Sequence, residues 1–139
     1  MPSVTKSVEL DASQEDAFAL ATDPARFEEW LTVHNSWPDG VPGEVVAGAT
    51  FRQGLKIMGM PADVTWTVEE LDPGSKLLLR GAGPLGASLV TTITAAGGTV
   101  SYEAGFFGGG IQGPMGDMVT QKAGDEIEAS LAKLKSLAP

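Results

Sequence analysis

The sequence predicts an α+β domain in which a curved antiparallel β-sheet wraps around one long C-terminal helix, with two short helices after the first strand. Three observations carry this expectation. From Pro114 to Ala138, apolar residues recur at Met115, Met118, Val119, Ala123, Ile127, Leu131, Leu134 and Leu137, steps of three and four that mark one buried helical stripe. The other face holds Asp117, Gln121, Lys122, Asp125, Glu128 and Lys133, which suits water. From Thr50 to Phe106 the chain instead alternates with a period of two and breaks at hairpin-length turns, the pattern of an antiparallel meander. Gly54, Gly81, Gly83, Gly86 and Gly105 lie within or beside those strands, where glycine permits bulges and strong curvature. A helix with one apolar stripe must bury it, and the sheet is the only surface available.

In chain order, Val4, Lys6, Val8 and Leu10 alternate with polar neighbours as a half-buried strand. Lys6 shares the apolar parity, which fits an edge strand with the lysine stem laid along apolar surface. Ser13, three residues before Asp16, opens a short helix carrying Ala17, Phe18, Leu20 and Ala21. Asp23-Pro24 starts a second, with Phe27, Trp30 and Leu31 as its apolar side. Residues 32 to 49 read as an irregular excursion broken by Pro38, Gly40, Pro42 and Gly43. Strands follow over Phe51–Ile57, Ala62–Val68, Leu77–Leu79, Ser88–Thr94 and Val100–Phe106. Gly59-Met60-Pro61, Asp72-Pro73-Gly74-Ser75 and Ala96-Gly97-Gly98 form turns between them.

The 139 residues fit one domain, 1–139, with enough chain to bury a core. Nine basic against eighteen acidic residues leave a formal charge of −9, which repels phosphate backbones and anionic lipid, so no nucleic-acid or membrane-surface role is expected. Cysteine is absent, which removes disulfides, thiolate nucleophiles and thiolate metal sites. No apolar run approaches the roughly 20 residues that span a bilayer, and the N-terminus alternates rather than forming a signal-peptide core. A soluble, cytoplasmic domain is the expectation.

One histidine and scattered carboxylates offer no metal-ligand spacing, so neither metal nor cofactor is expected. Two strings imitate the G-x-G-x-x-G fingerprint. Gly81 to Gly86 leads into a strand, the wrong context. Gly108 to Gly113 opens the last helix, with no second parallel strand to follow it, so both read as backbone freedom. Arg52, Lys56 and Glu103 have outward parity, and the strand threonines Thr65, Thr67, Thr91, Thr92 and Thr94, with Ser88, are expected on the outer sheet face.

Asp23-Pro24 through Glu29-Trp30-Leu31, Thr32 to Trp37, Lys56 to Pro61, Trp66-Thr67-Val68, the Asp72-Pro73-Gly74 turn and Gly113 to Gly116 form a set of local strings spread over nearly the whole chain. Together with the element order they resemble the START-like superfamily of helix-grip proteins, also called SRPBCC or Bet v1-like, which includes polyketide cyclases, aromatases and lipid-transfer domains. The Trp30 to His34 string looks most like an actinobacterial branch, some members of which are labelled toxins of toxin–antitoxin pairs. The resemblance implies a cavity between sheet and helix that holds an apolar molecule. It implies no shared catalytic set.

Trp30, Trp37 and Trp66, with Met58, Met60, Met115 and Met118, are the apolar residues best suited to line such a pocket, since indole adds one polar handle to a large apolar face and methionine adapts to irregular shapes. Each also serves as ordinary core filling. Tyr102 and Phe106 complete the set expected at the ligand. His34 sits where the family's cavity entrance is expected, and Asp39 is the nearest carboxylate to orient it. Three functions follow in order: binding of a small apolar or amphipathic ligand (lipid or polyketide-like), cyclase or aromatase chemistry using His34, Tyr102 and Asp39, and a toxin role restrained by an antitoxin-like partner.

Overall fold

The computed structural model describes residues 3–43, 45–57, 59–83, 86–107 and 113–137. Strand β1 (Ser3–Glu9) leads to α1 (Gln14–Thr22), a 3₁₀ turn (Pro24–Arg26), α2 (Phe27–Trp30) and β2 (His34–Ser36). Strands β3 (Thr50–Ile57), β4 (Met60–Asp72), β5 (Lys76–Ala82), β6 (Ser88–Ala96) and β7 (Thr99–Phe107) follow, and α3 (Gly113–Leu137) closes the chain. The seven strands form one curled antiparallel sheet in the order β1-β7-β6-β5-β4-β3-β2. This is the helix-grip α+β fold predicted from the meander and the long stripe.

Local signals act as expected at the helix starts. The Ser13 hydroxyl accepts from the Asp16 amide at 3.2 Å, and Asp23 Oδ1 accepts from the Ala25 amide at 3.1 Å. Phe27, Trp30 and Leu31 are all buried, and α2 packs against α3. Gly74 takes φ 79° in the turn between β4 and β5, a conformation that glycine adopts without a Cβ clash. Along the sheet, parity decides burial: Val64, Trp66 and Val68 on β4, Leu77 and Leu79 on β5, and Val100, Tyr102, Ala104 and Phe106 on β7 face the core.

Lys6 is half-buried on edge strand β1, and its Cε lies 3.6 Å from where a Cβ on Gly124 of α3 would stand. Its ammonium reaches Glu128 at 3.8 Å, so the stem lies on apolar surface and the charge meets water. Arg52, Lys56 and Glu103 are exposed, as their parity requires.

Three expectations need correction. The excursion after α2 contains the short strand β2, paired to β3 through His34 and Leu55. Thr91 does not decorate the outer face: it is 6% exposed and points inward between Leu89 and Ile93. Met118 does not share the buried stripe, for it is 49% exposed. It lies nine residues before Ile127, about two and a half helical turns, and therefore on the opposite side of α3. Of the two glycine strings, the stretch 108–112 lies outside the described residues, as do residues 84 and 85 of the first string, whereas Gly81 and Ala82 close β5 and the next element is strand β6.

Candidate functional site

Curling the sheet around α3 leaves a cavity of about 80 Å³. Its sheet wall is Gln53 and Leu55 of β3, Trp66 of β4, Leu89 and Thr91 of β6, and Tyr102, Ala104 and Phe106 of β7. Val119, Ala123, Ile127 and Ser130 of α3 face them, and Leu31 and Val33 close the side nearest α2. Lys122 and Glu126, both exposed, mark the mouth.

The wall is mainly apolar, and its buried polar groups are tied down. Trp66 Nε1–H donates to Gln53 Oε1 at 2.9 Å, and Gln53 Nε2 lies 2.8 Å from His34 Nδ1. Gln53 sits on the inward parity of β3, between Phe51 and Leu55, and is 3% exposed. Tyr102 of β7 lines the cavity with Thr91 of the adjacent strand β6, and burial pushes the phenol up to about 12, with the Thr91 hydroxyl as the smaller, opposing influence. Ser130, 2% exposed, accepts from the Thr32 amide at 2.9 Å and donates to the Glu126 carbonyl at 2.7 Å. The Thr32 hydroxyl also bonds the Glu126 carboxylate, so the turn after α2 is fastened to α3 at the cavity mouth.

The residues expected at the ligand separate into groups. Trp66, Tyr102 and Phe106 line the cavity together. Trp30 stands apart from the lining, 1% exposed in the core, edge-on to Phe27 and Tyr102, and its Nε1–H meets no acceptor among the described residues. His34 and Trp37 lie beyond Gln53 as an adjacent pair, with ring centroids 4.9 Å apart, against Phe27. Met118 points to solvent. Met58 lies outside the described residues, as do the side chains of Met60 and Met115.

Asp39 does not orient His34; it holds Arg52 at 2.9 Å instead. Burial draws the His34 pKa below 6.5, against the smaller opposing pull of Glu28. Sequence reasoning missed Gln53, Thr91 and Ser130. Parity with apolar neighbours was the available signal for the first two, and Ser130 lies three residues beyond Ile127 on the buried face of α3. Among the described residues, no three His, Asp or Glu side chains gather as metal ligands, and no helix is long and apolar enough to cross a membrane.

This architecture, an apolar cavity gripped between a curled sheet and a long helix, has its counterpart among known families. The whole chain, residues 1–139, matches the family described as polyketide cyclase / dehydrase and lipid transport, and it belongs to that family. The protein named Toxin Rv0910 of Mycobacterium tuberculosis is 27% identical over 135 residues, covering 94% of both chains. A START superfamily protein from Mycobacterium smegmatis superposes with a TM-score of 0.63 at 19% identity, covering 96% of this chain and 94% of that one. Protein CV1439 from Chromobacterium violaceum superposes with a TM-score of 0.69 at 18% identity, covering 99% and 96%. These structures share the fold.

Proposed function

We infer that the protein binds a small apolar or amphipathic molecule, lipid-like or polyketide-like, in the cavity between the sheet and α3. One observation carries this reading: the cavity wall is apolar, and its buried polar side chains hold one another rather than pairing as an acid and a base. Tyr102, with its phenol pushed up to about 12, is no base near neutrality, and His34 lies behind Gln53 rather than in the lining. Binding is therefore favoured over cyclase chemistry. The cavity, open at its mouth, has a volume of about 80 Å³, against roughly 150 Å³ for an engineered cavity that holds benzene. A larger ligand extends through the mouth beside Val119 and Ala123, which are only half-buried.

Native mass spectrometry of the purified protein, with its solvent extract analysed for small molecules, tests this. A reproducible adduct of a few hundred daltons is expected, and Ala123→Phe, which fills the mouth, is expected to abolish it. A bare mass with no uptake from fatty acids, sterols or aromatic polyketides removes the reading.

The name of the Rv0910 relative supports a second reading, a toxin component restrained by an antitoxin-like protein partner. The charge of −9 disfavours a toxin that grips RNA. Growth arrest on expression, relieved by the product of an adjacent reading frame, is the expected behaviour. Unimpeded growth overturns it.

A further inference from the structure

The partners of Gln53 fix which way its amide faces. The Trp66 indole is a donor only, so the Gln53 atom 2.9 Å from it is the oxygen. The nitrogen then faces His34 Nδ1 at 2.8 Å, and that ring atom accepts, which leaves the imidazole proton on Nε2. A flipped amide would set two donors against each other at Trp66. The amide nitrogen carries two hydrogens, and His34 takes one.

The second N–H belongs to a side chain that is 3% exposed and lines the cavity, and no further acceptor for it stands among the described residues. A buried N–H left without a partner is rarer in proteins than a carbonyl lone pair left vacant, so this hydrogen governs what the wall accepts. The Thr91 and Tyr102 hydroxyls at the other end of the wall rotate to meet either a donor or an acceptor, and so discriminate little. The Gln53 amide is held on both sides and cannot adapt.

We propose that Gln53 is the specificity-determining residue of the cavity, its spare N–H selecting apolar molecules that carry a hydrogen-bond-accepting oxygen over hydrocarbons of the same shape. This rests on the reading of the cavity as a ligand site. Acetophenone and α-methylstyrene, which differ by C=O against C=CH2, form the test pair, titrated by NMR into the wild-type protein and Gln53→Met. The ratio of ketone to alkene affinity is expected to be about three- to tenfold higher in the wild type, the worth of one net hydrogen bond. Gln53→Met strands the Trp66 N–H. If it does not fold, Gln53→Met with Trp66→Phe removes both partners, and the same drop in ratio is expected. Both probes binding with an unchanged ratio overturns the role of Gln53 and leaves the ligand site standing. Failure of both probes to bind the wild type removes the site and this inference together.

Discussion

The indole of Trp66 lies over the one point of β5 that carries no side chain: a Cβ on Gly81, its cross-strand partner, would stand 2.7 Å from the ring carbon Cζ3. The same added carbon would stand 2.7 Å from Val64 Cγ1. The glycine is thus the space into which the largest cavity-lining side chain settles, and it lets the indole N–H reach Gln53.

Gly81→Ala is accordingly expected to destabilise the protein by about 1–3 kcal/mol, the usual range for overpacking a well-filled core. Urea denaturation measures it. A loss below about 0.5 kcal/mol, the scale of a neutral surface change, would show that the ring yields easily and that the glycine does not set its position.

Ser130 fastens the turn after α2 to the last helix. Ser130→Ala strands the Thr32 amide, and a loss of about 1–3 kcal/mol is expected. Ser136 is an exposed serine on the same helix whose hydroxyl bonds a backbone carbonyl. Ser136→Ala should change stability by less than about 0.5 kcal/mol. Equal effects at the two positions would remove the special role of the buried one.

The buried position of His34 makes stability depend on pH with a definite sign. Its folded pKa lies below 6.5, so below that pH the unfolded chain takes up the proton first. The contribution is therefore fully present above 6.5 and is lost as pH falls through the folded value. His34→Asn keeps an acceptor opposite Gln53 and removes the titration, so its stability should fall less steeply than wild type on acidification below pH 6.5. Parallel curves would refute the assignment.

The two ends of α3 differ in what they bury. Leu134→Ala removes a side chain that is 0% exposed and should cost about 2–5 kcal/mol. Met118→Ala, at 49% exposed, should stay within about 0.5 kcal/mol. Thermal or urea unfolding of the two variants checks this, and a large loss at Met118 would place it against a surface after all.

Period and capping made most of the architecture legible. A stripe as long as that of α3 and strands as regular as β6 and β7 announce themselves because burial repeats with backbone geometry. Strand β2 spans only His34–Ser36, too few residues for alternation to stand out from a loop. Thr91 was hidden by an appeal to residue type over position, and Gln53 stood in an apolar alternation without being weighed as a site residue. Threonine favours a pleated, half-wet surface, yet Thr91 has the parity of Leu89 and Ile93 and goes where they go. Gln53 likewise follows Phe51 and Leu55 inward, and only its partners reveal why an amide is tolerated there. Those partners, Trp66 and His34, come from other strands, and no local pattern brings them together.

The pairing of β1 with β7 bears on how the chain is made. Thr5 meets Glu103, 98 positions further along the chain, and α3 packs against β1 from still further along. A nascent chain emerging from the ribosome therefore holds β1 without its strand partner until β7 has been synthesised. Closure of so distant a contact is slow, because chain entropy is lost before the contact forms. The hairpins from β3 to β6 can zip as they appear, but the grip itself assembles last, after translation has reached the final helix.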